Sequence, residues 1–216
     1  MARSTGQETV VLVHGLWLSG WSLYVLGQRL ARHGFETFSF SYPSVSQNLL
    51  QNAERLQRFL VDLERPVVHL VGHSLGGIVI RALFHQHPEQ PPGGRIVTLG
   101  SPHGGSYPAS MLVRTALGRK ITGRSIQQLL AGMPAHWQPV DRDIGIIAGD
   151  LSVGMGRLFR RLPRPNDGVV SAAEAALPGA TDSITLHVSH TAMVVSSQVA
   201  QQVSWFLKHG RFQTNR

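Results

Sequence analysis

Apolar residues along this chain follow two alternating rhythms. Short aliphatic and β-branched runs recur near 9–14, 35–41, 66–72, 95–100, 143–148 and 183–188. Runs of that length and make-up predict buried strands. Between them the spacing lengthens to three and four residues. Over 47–63, Leu49, Ala53, Leu56, Leu60 and Leu63 share one helical face. Past residue 77, Ile78, Val79, Ala82 and Leu83 begin another. A last helix is expected over 191–208, with Met193, Val194, Val199, Val203, Phe206 and Leu207 turned inward, Thr191 as its cap and a stop at Gly210. Strand–helix alternation of this kind implies an α/β fold: a six-stranded, mostly parallel sheet with helices on both faces. No internal repeat and no low-complexity linker interrupts the pattern, so residues 1–216 are expected to form one domain.

Composition removes several function classes. With 42% hydrophobic and 15% charged residues the chain is globular rather than disordered. It has no cysteine, which excludes a disulfide scaffold, a thiol nucleophile and thiolate metal sites while leaving the compartment open. Residues 1–9 lack the apolar core of a signal peptide, so the expected location is the cytoplasm unless a leader precedes this sequence. No run approaches the ~18 apolar residues of a transmembrane segment. There is no H-E-x-x-H and no acidic cluster at ligand spacing, and His85-x-His87 reads as a solvated pair before Pro88. Neither a metal nor another cofactor is expected. The net charge of +8 and pI of 11.2 come without a nucleic-acid motif or an aromatic-interleaved basic strip, so no nucleic-acid partner is expected.

The chemistry concentrates at Gly72-His73-Ser74-Leu75-Gly76-Gly77, which follows the apolar run 67–71 and precedes a helical pattern. A G-x-S-x-G between strand and helix is a nucleophile elbow, in which small residues leave room for a sharp, strained turn. The serine hydroxyl is then exposed at the amino end of a helix, whose dipole favours developing negative charge. The plainer reading of those five residues is an ordinary strand-to-helix turn. A second strand, 10–13, also runs into a turn, His14-Gly15-Leu16-Trp17.

Taken with LGSPHGGS at 99–106, NDGVVS at 166–171 and SHTAM at 189–193, these two motifs make the chain resemble the α/β-hydrolase superfamily, most of all its small bacterial lipases and esterases. The resemblance implies a minimal six-stranded member that lacks the family's first two strands and leaves little room for a cap domain. It implies Ser74 as nucleophile and the backbone N–H groups of Leu16 and Leu75 as oxyanion hole. The base should lie just past the last strand, which points to His190, with His187 as the alternative. The acid falls between serine and histidine in chain order, which leaves Asp167 and Asp150, with Asp167 favoured by its place in the NDGVVS loop. Trp17 and His103 are expected to line the substrate site. His73 is expected to pack or support rather than take the proton, and His14 to belong to the oxyanion turn.

A serine, a base and an orienting acid imply acyl-enzyme chemistry. The resemblance favours carboxylester hydrolysis on ester or lipid substrates, and hence a place in lipid metabolism. Thioester hydrolysis and acyl transfer use the same groups and stay open, as does a catalytically silent binding protein on the same scaffold.

The charge is uneven. Residues 110–165 hold nine Lys or Arg against three acids, six of the chain's net eight positive charges. In the family's order these residues flank the fifth strand and border the mouth of the site, as flap segments at 106–140 and 151–166. The first carries an apolar face of Leu112, Val113, Ala116, Leu117 and Ile121, weakened as one rigid helix by Gly118 and Gly123. Two readings stand: a covering helix with a solvated basic side, or a flap that rests on anionic lipid surfaces.

Overall fold

The six runs predicted as strands form one sheet. A computed structural model describes residues 7–89, 93–153 and 162–214. The strands are β1 (Thr9–Val13), β2 (Glu36–Phe40), β3 (Val68–His73), β4 (Ile96–Leu99), β5 (Ile144–Gly149) and β6 (Asp182–Leu186). Their spatial order is β2-β1-β3-β4-β5-β6, and every pair is parallel. Each run therefore leads to the same edge of the sheet, where loops can converge.

Alternation along the strands sorts the two cores. On β1, Val11 and Val13 face one side with Leu49, Leu56 and Ile78, while Val10 and Leu12 face the other with Leu26, Leu30 and Phe206. The first side is covered by α2 (Leu49–Asp62) and α3 (Leu75–Gln86), the second by α1 (Tyr24–Arg32) and the C-terminal helix. Helix α2 starts at a reciprocal cap, with Asn48 accepting from the Gln51 N–H and Gln51 accepting from the Asn48 N–H. Helix α3 is buried from Leu75 to Phe84, which explains its apolarity; the one charged residue of that stretch, Arg81, donates to the Pro134 carbonyl.

Segment 106–140 is built from α4 (Tyr107–Leu112), α5 (Ala116–Leu130) and a 3₁₀ turn, Met133–His136. A short α6 (Ala172–Ala175) precedes β6, and α7 (Ser197–His209) closes the chain at Gly210. Among the described residues no helix is long and apolar enough to cross a membrane.

Two expectations need correction. The last helix does not begin at Thr191. Residues Ala192–Val194 form a 3₁₀ turn, Thr191 makes no side-chain cap bond, and the cap of α7 is Ser196, whose hydroxyl accepts from the Val199 N–H. The 3₁₀ turn keeps Met193 and Val194 buried while the chain finishes the loop after β6. The apolar face foreseen on 112–121 is not the inward face of α5 either. Leu117 and Ile121 are 69% and 41% exposed, and the helix buries Gly118, Thr122, Ser125 and Ile126 instead. Small residues let it approach closely: a Cβ on Gly123, where φ is +75° and the helix kinks, would lie 2.1 Å from the Val45 carbonyl oxygen.

Candidate active site

Three strand ends supply the groups. Ser74 follows β3 in the middle of the sheet, with φ +54° and ψ −122°, a conformation that costs a non-glycine residue roughly 1–3 kcal/mol. The surroundings hold it there. Its N–H donates to the Leu99 carbonyl at 2.9 Å, and its carbonyl accepts from the Gly77 N–H at 3.2 Å. The flanking glycines are required by close approach. A Cβ on Gly72 would fall 2.5 Å from the Gly77 nitrogen, and one on Gly76 would fall 2.1 Å from the Val13 carbonyl oxygen. Helix α3 starts at Leu75, directly behind the serine.

Asp167 lies in the loop between β5 and β6, fully buried. Its Oδ1 accepts from the N–H groups of Val169 at 2.9 Å and Val170 at 2.7 Å. Its Oδ2 accepts from His190 Nδ1 at 2.7 Å, and its backbone carbonyl accepts from the His190 N–H at 2.9 Å. With Nδ1 donating to a carboxylate, Nε2 of His190 is left free to accept a proton. Gly100, at the end of β4, makes the room for this pair: a Cβ there would sit 2.7 Å from Asp167 Oδ2 and 3.0 Å from His190 Nδ1. In the sequence the only signal for this role is the place of Gly100 at the end of the run 95–100.

The alternative acid and base find each other instead. His187 Nδ1 and Asp150 Oδ1 are 2.8 Å apart, with the His187 side chain 75% exposed. Neither lines the cavity that holds Ser74.

That cavity, of about 390 Å³, is walled by Gly15, Leu16, Trp17 and Leu18 of the first loop, by the elbow, and by His190 and Thr191. Its remaining wall is mostly apolar, drawn from the loop after β4, from α4 and α5, and from Val153 and Val169-Val170. Segment 106–140 thus contributes to the wall. Of segment 151–166, residues 154–161 lie outside the described residues, Arg157, Arg160 and Arg161 among them.

The first loop is fixed from beneath. His14 is buried, its Nδ1–H donates to the Gly15 carbonyl, and its Nε2 accepts from the Tyr42 N–H. The Tyr42 hydroxyl donates back to the His14 carbonyl at 2.8 Å, and the rings stack. Burial pushes the His14 pKa down and keeps the ring neutral. Trp17 has φ +60°; its N–H donates to Ser44 Oγ, and its indole N–H donates to the Ile121 carbonyl at 2.7 Å. Among the described residues neither the Leu16 nor the Leu75 N–H has a protein acceptor. Tyr42 and Ser44 were missed because no sequence spacing links them to the His-Gly turn.

His103 is placed elsewhere. It is buried, its ring meets Thr98 Oγ1 at 3.0 Å, and it does not line the cavity. Burial, with the Arg81 guanidinium nearby, pushes its pKa down to about 3. His73 is also buried and also pushed down to about 3, chiefly by burial and then by His190. Among the described residues no group of three His, Asp or Glu is placed to hold a metal ion.

The alpha/beta hydrolase family model matches residues 10–207. No curated protein matches the chain. Among solved structures, the mature lipase BlEst2 of Bacillus licheniformis superposes with a TM-score of 0.81 at 19% identity, covering 97% of this chain and 94% of that one. The metagenomic carboxyl esterase MGS0156 gives 0.73 at 18%, covering 91% and 74%. The carboxylesterase CesB of Bacillus subtilis gives 0.58 at 15%, covering 95% and 85%. At these identities the likeness is one of fold.

Proposed function

The chain belongs to the alpha/beta hydrolase family, and from that premise we propose that it is a serine carboxylester hydrolase working through an acyl-enzyme on Ser74. The observation that carries this reading is the buried 2.7 Å contact of Asp167 with His190, beside the cavity that Ser74 also lines. Ser74 Oγ attacks the ester carbonyl carbon as His190 Nε2 takes its proton, and the Asp167 carboxylate balances the imidazolium. The Leu16 and Leu75 N–H groups receive the oxyanion. The bond to the alcohol oxygen then breaks, and His190 returns the proton to the leaving alcohol. Water adds to the acyl-serine by the same route, releasing the acid and restoring Ser74.

The apolar wall supports an acyl chain as the bound part, with Trp17 against it. The fold neighbours named as lipase and esterases support an ester as the group attacked. Lipid surfaces are the partner this reading extends to. On α5 Leu117 and Ile121 are exposed, as are Arg119, Lys120 and Arg124, and residues 101–140 contain no acid.

The test is a panel of p-nitrophenyl esters of rising chain length, run beside an acyl-thioester and with Ser74→Ala as control. Ester turnover that Ser74→Ala abolishes is the expected result. Preference for the thioester would redirect the reading to thioester hydrolysis or acyl transfer. No turnover of either would leave a binding protein on a hydrolase scaffold.

A further inference from the structure

His73 is buried next to Ser74, yet the reaction above gives it no proton to carry. Its ring reaches across the fold to His190: Nε2 is 3.1 Å from the His190 carbonyl oxygen, and the ring centroids are 4.7 Å apart. A carbonyl oxygen only accepts, so Nε2 carries the hydrogen and donates it. The other nitrogen, Nδ1, is buried without a partner among the described residues, and a Cβ on Gly15 would stand 3.3 Å from it. Only a neutral ring suits this place, because a protonated one would bury a second N–H with nothing to receive it. The pKa, pushed down to about 3, agrees.

The bonds around His190 divide unequally. Its N–H and its Nδ1–H both go to Asp167, so they tie base and acid to each other. Neither ties the pair to the nucleophile. Among the described residues, the hydrogen bond from His73 is the one that joins the His190 loop directly to the elbow.

We propose that His73 is a positioning residue of the reaction: its Nε2–H fixes the backbone carbonyl of His190 and thereby sets the imidazole relative to Ser74. The assignment rests on Ser74, Asp167 and His190 acting as described above. A lysine or arginine donor here would place a positive charge against the imidazolium that forms on His190. A neutral histidine makes the same bond without that repulsion.

His73→Met keeps the approximate size and removes the donor, whereas His73→Gln keeps a donor near the position of Nε2. For a soluble ester, kcat of His73→Met should fall roughly tenfold to a hundredfold with KM little changed, since a displaced base affects the reacting geometry more than binding. Inactivation by a fluorophosphonate should slow in parallel, and His73→Gln should recover most of both rates. A merely structural histidine would lower Tm and leave kcat of the folded enzyme unchanged, and that result overturns the proposal. Nitrogen NMR on the unsubstituted protein decides the case even where the variants do not fold. It should find His73 as the neutral Nε2–H tautomer from pH 5 to 8; an Nδ1–H tautomer, or titration within that range, overturns the assignment. The two failures separate cleanly. Activity surviving in Ser74→Ala and His190→Gln removes the proposed reaction and the role of His73 with it. Loss in those two, with wild-type kcat in His73→Met, removes the role of His73 alone.

Discussion

Asp167 meets His190 through both its side chain and its backbone: Oδ2 accepts from Nδ1 at 2.7 Å, and the Asp167 carbonyl accepts from the His190 N–H at 2.9 Å. The carboxylate is held in turn by two further N–H groups on its other oxygen. The Asp150–His187 pair has a side-chain contact of similar length, 2.8 Å, but it lies at the surface. Exposed pairs of this kind contribute little, about 0–1 kcal/mol, because water competes for both groups.

The two pairs should therefore respond very differently to substitution. Asp167→Asn is expected to lower kcat by about 10³-fold or more, since an amide neither holds the needed tautomer nor balances the imidazolium. Asp150→Asn and His187→Gln should leave kcat within about threefold. Steady-state kinetics on one soluble ester checks all three, and the reverse order of losses would transfer both roles to the surface pair.

Acid should destabilise the protein through its buried histidines. His73 and His103 are held down to about 3 from an ordinary value of 6.5, in both cases chiefly by burial. Between those limits an unfolded chain binds two protons that the folded protein refuses. The stability they contribute is complete above about pH 6.5 and is lost as pH falls toward 3, at about 1.4 kcal/mol per proton per pH unit. His14 and His69, also held down by burial, act in the same direction. Stability in denaturant melts at pH 7, 6, 5 and 4 should therefore fall at least that steeply, with His103→Gln reducing the slope by about one proton. A flat profile would mean that both rings titrate normally.

The elbow should tolerate no methyl group at Gly76. A Cβ there would meet the Val13 carbonyl oxygen at 2.1 Å, and backbone in the middle of a sheet cannot move aside. Gly76→Ala should cost about 3 kcal/mol or more and lower Tm by roughly 6–12 °C. Gly104→Ala, whose Cβ would have 3.6 Å of clearance, is the matched control and should barely shift Tm. Equal melting temperatures for the two variants would contradict the packing described for the turn.

For the lipid contact, sedimentation with anionic vesicles should exceed that with zwitterionic ones at low salt and fade as salt rises. Each basic residue at such a surface contributes about 1 kcal/mol, screened over roughly 8 Å at physiological salt. Replacing Arg119, Lys120 and Arg124 together by Gln should remove most of the difference, while turnover of a soluble ester stays close to wild type. Binding that ignores both lipid charge and salt would leave α5 as a solvated covering helix.

Much of this molecule was legible in the residues, and the exceptions share a cause. The inner strands were readable because a parallel strand buried on both faces is mostly aliphatic, as Val10 to Val13 are. The elbow was readable because its glycines answer to backbone contacts that no other residue fits. Periodicity failed on α5 because it counts apolarity and ignores size. Leu117 and Ile121 form the apolar stripe, but the helix packs where Gly118 and Gly123 let it come closest. It failed again at residues 191–196, where Met193 and Val194 keep a helical spacing although the chain turns before Ser196 restarts the helix. His103 sits in a loop at the correct edge of the sheet, yet the rotation of its ring toward Thr98 is a tertiary choice that spacing does not encode.

The kink at Gly123 gives α5 two different tenancies. Its second half is bound to the body of the protein: the Arg124 N–H donates to Val45, the Ser125 hydroxyl to the Gln47 carbonyl, and Gln128 accepts from the Leu49 N–H. Its first half borders the cavity at Thr122 and is tied to the first loop through the indole of Trp17. The cavity takes wall from both halves, from Thr122 before the kink and from Ile126 after it. Exchange of Thr122 should therefore redistribute substrate preference, where exchange of Ser125 or Gln128, which hold the helix to the body, would instead be spent on stability.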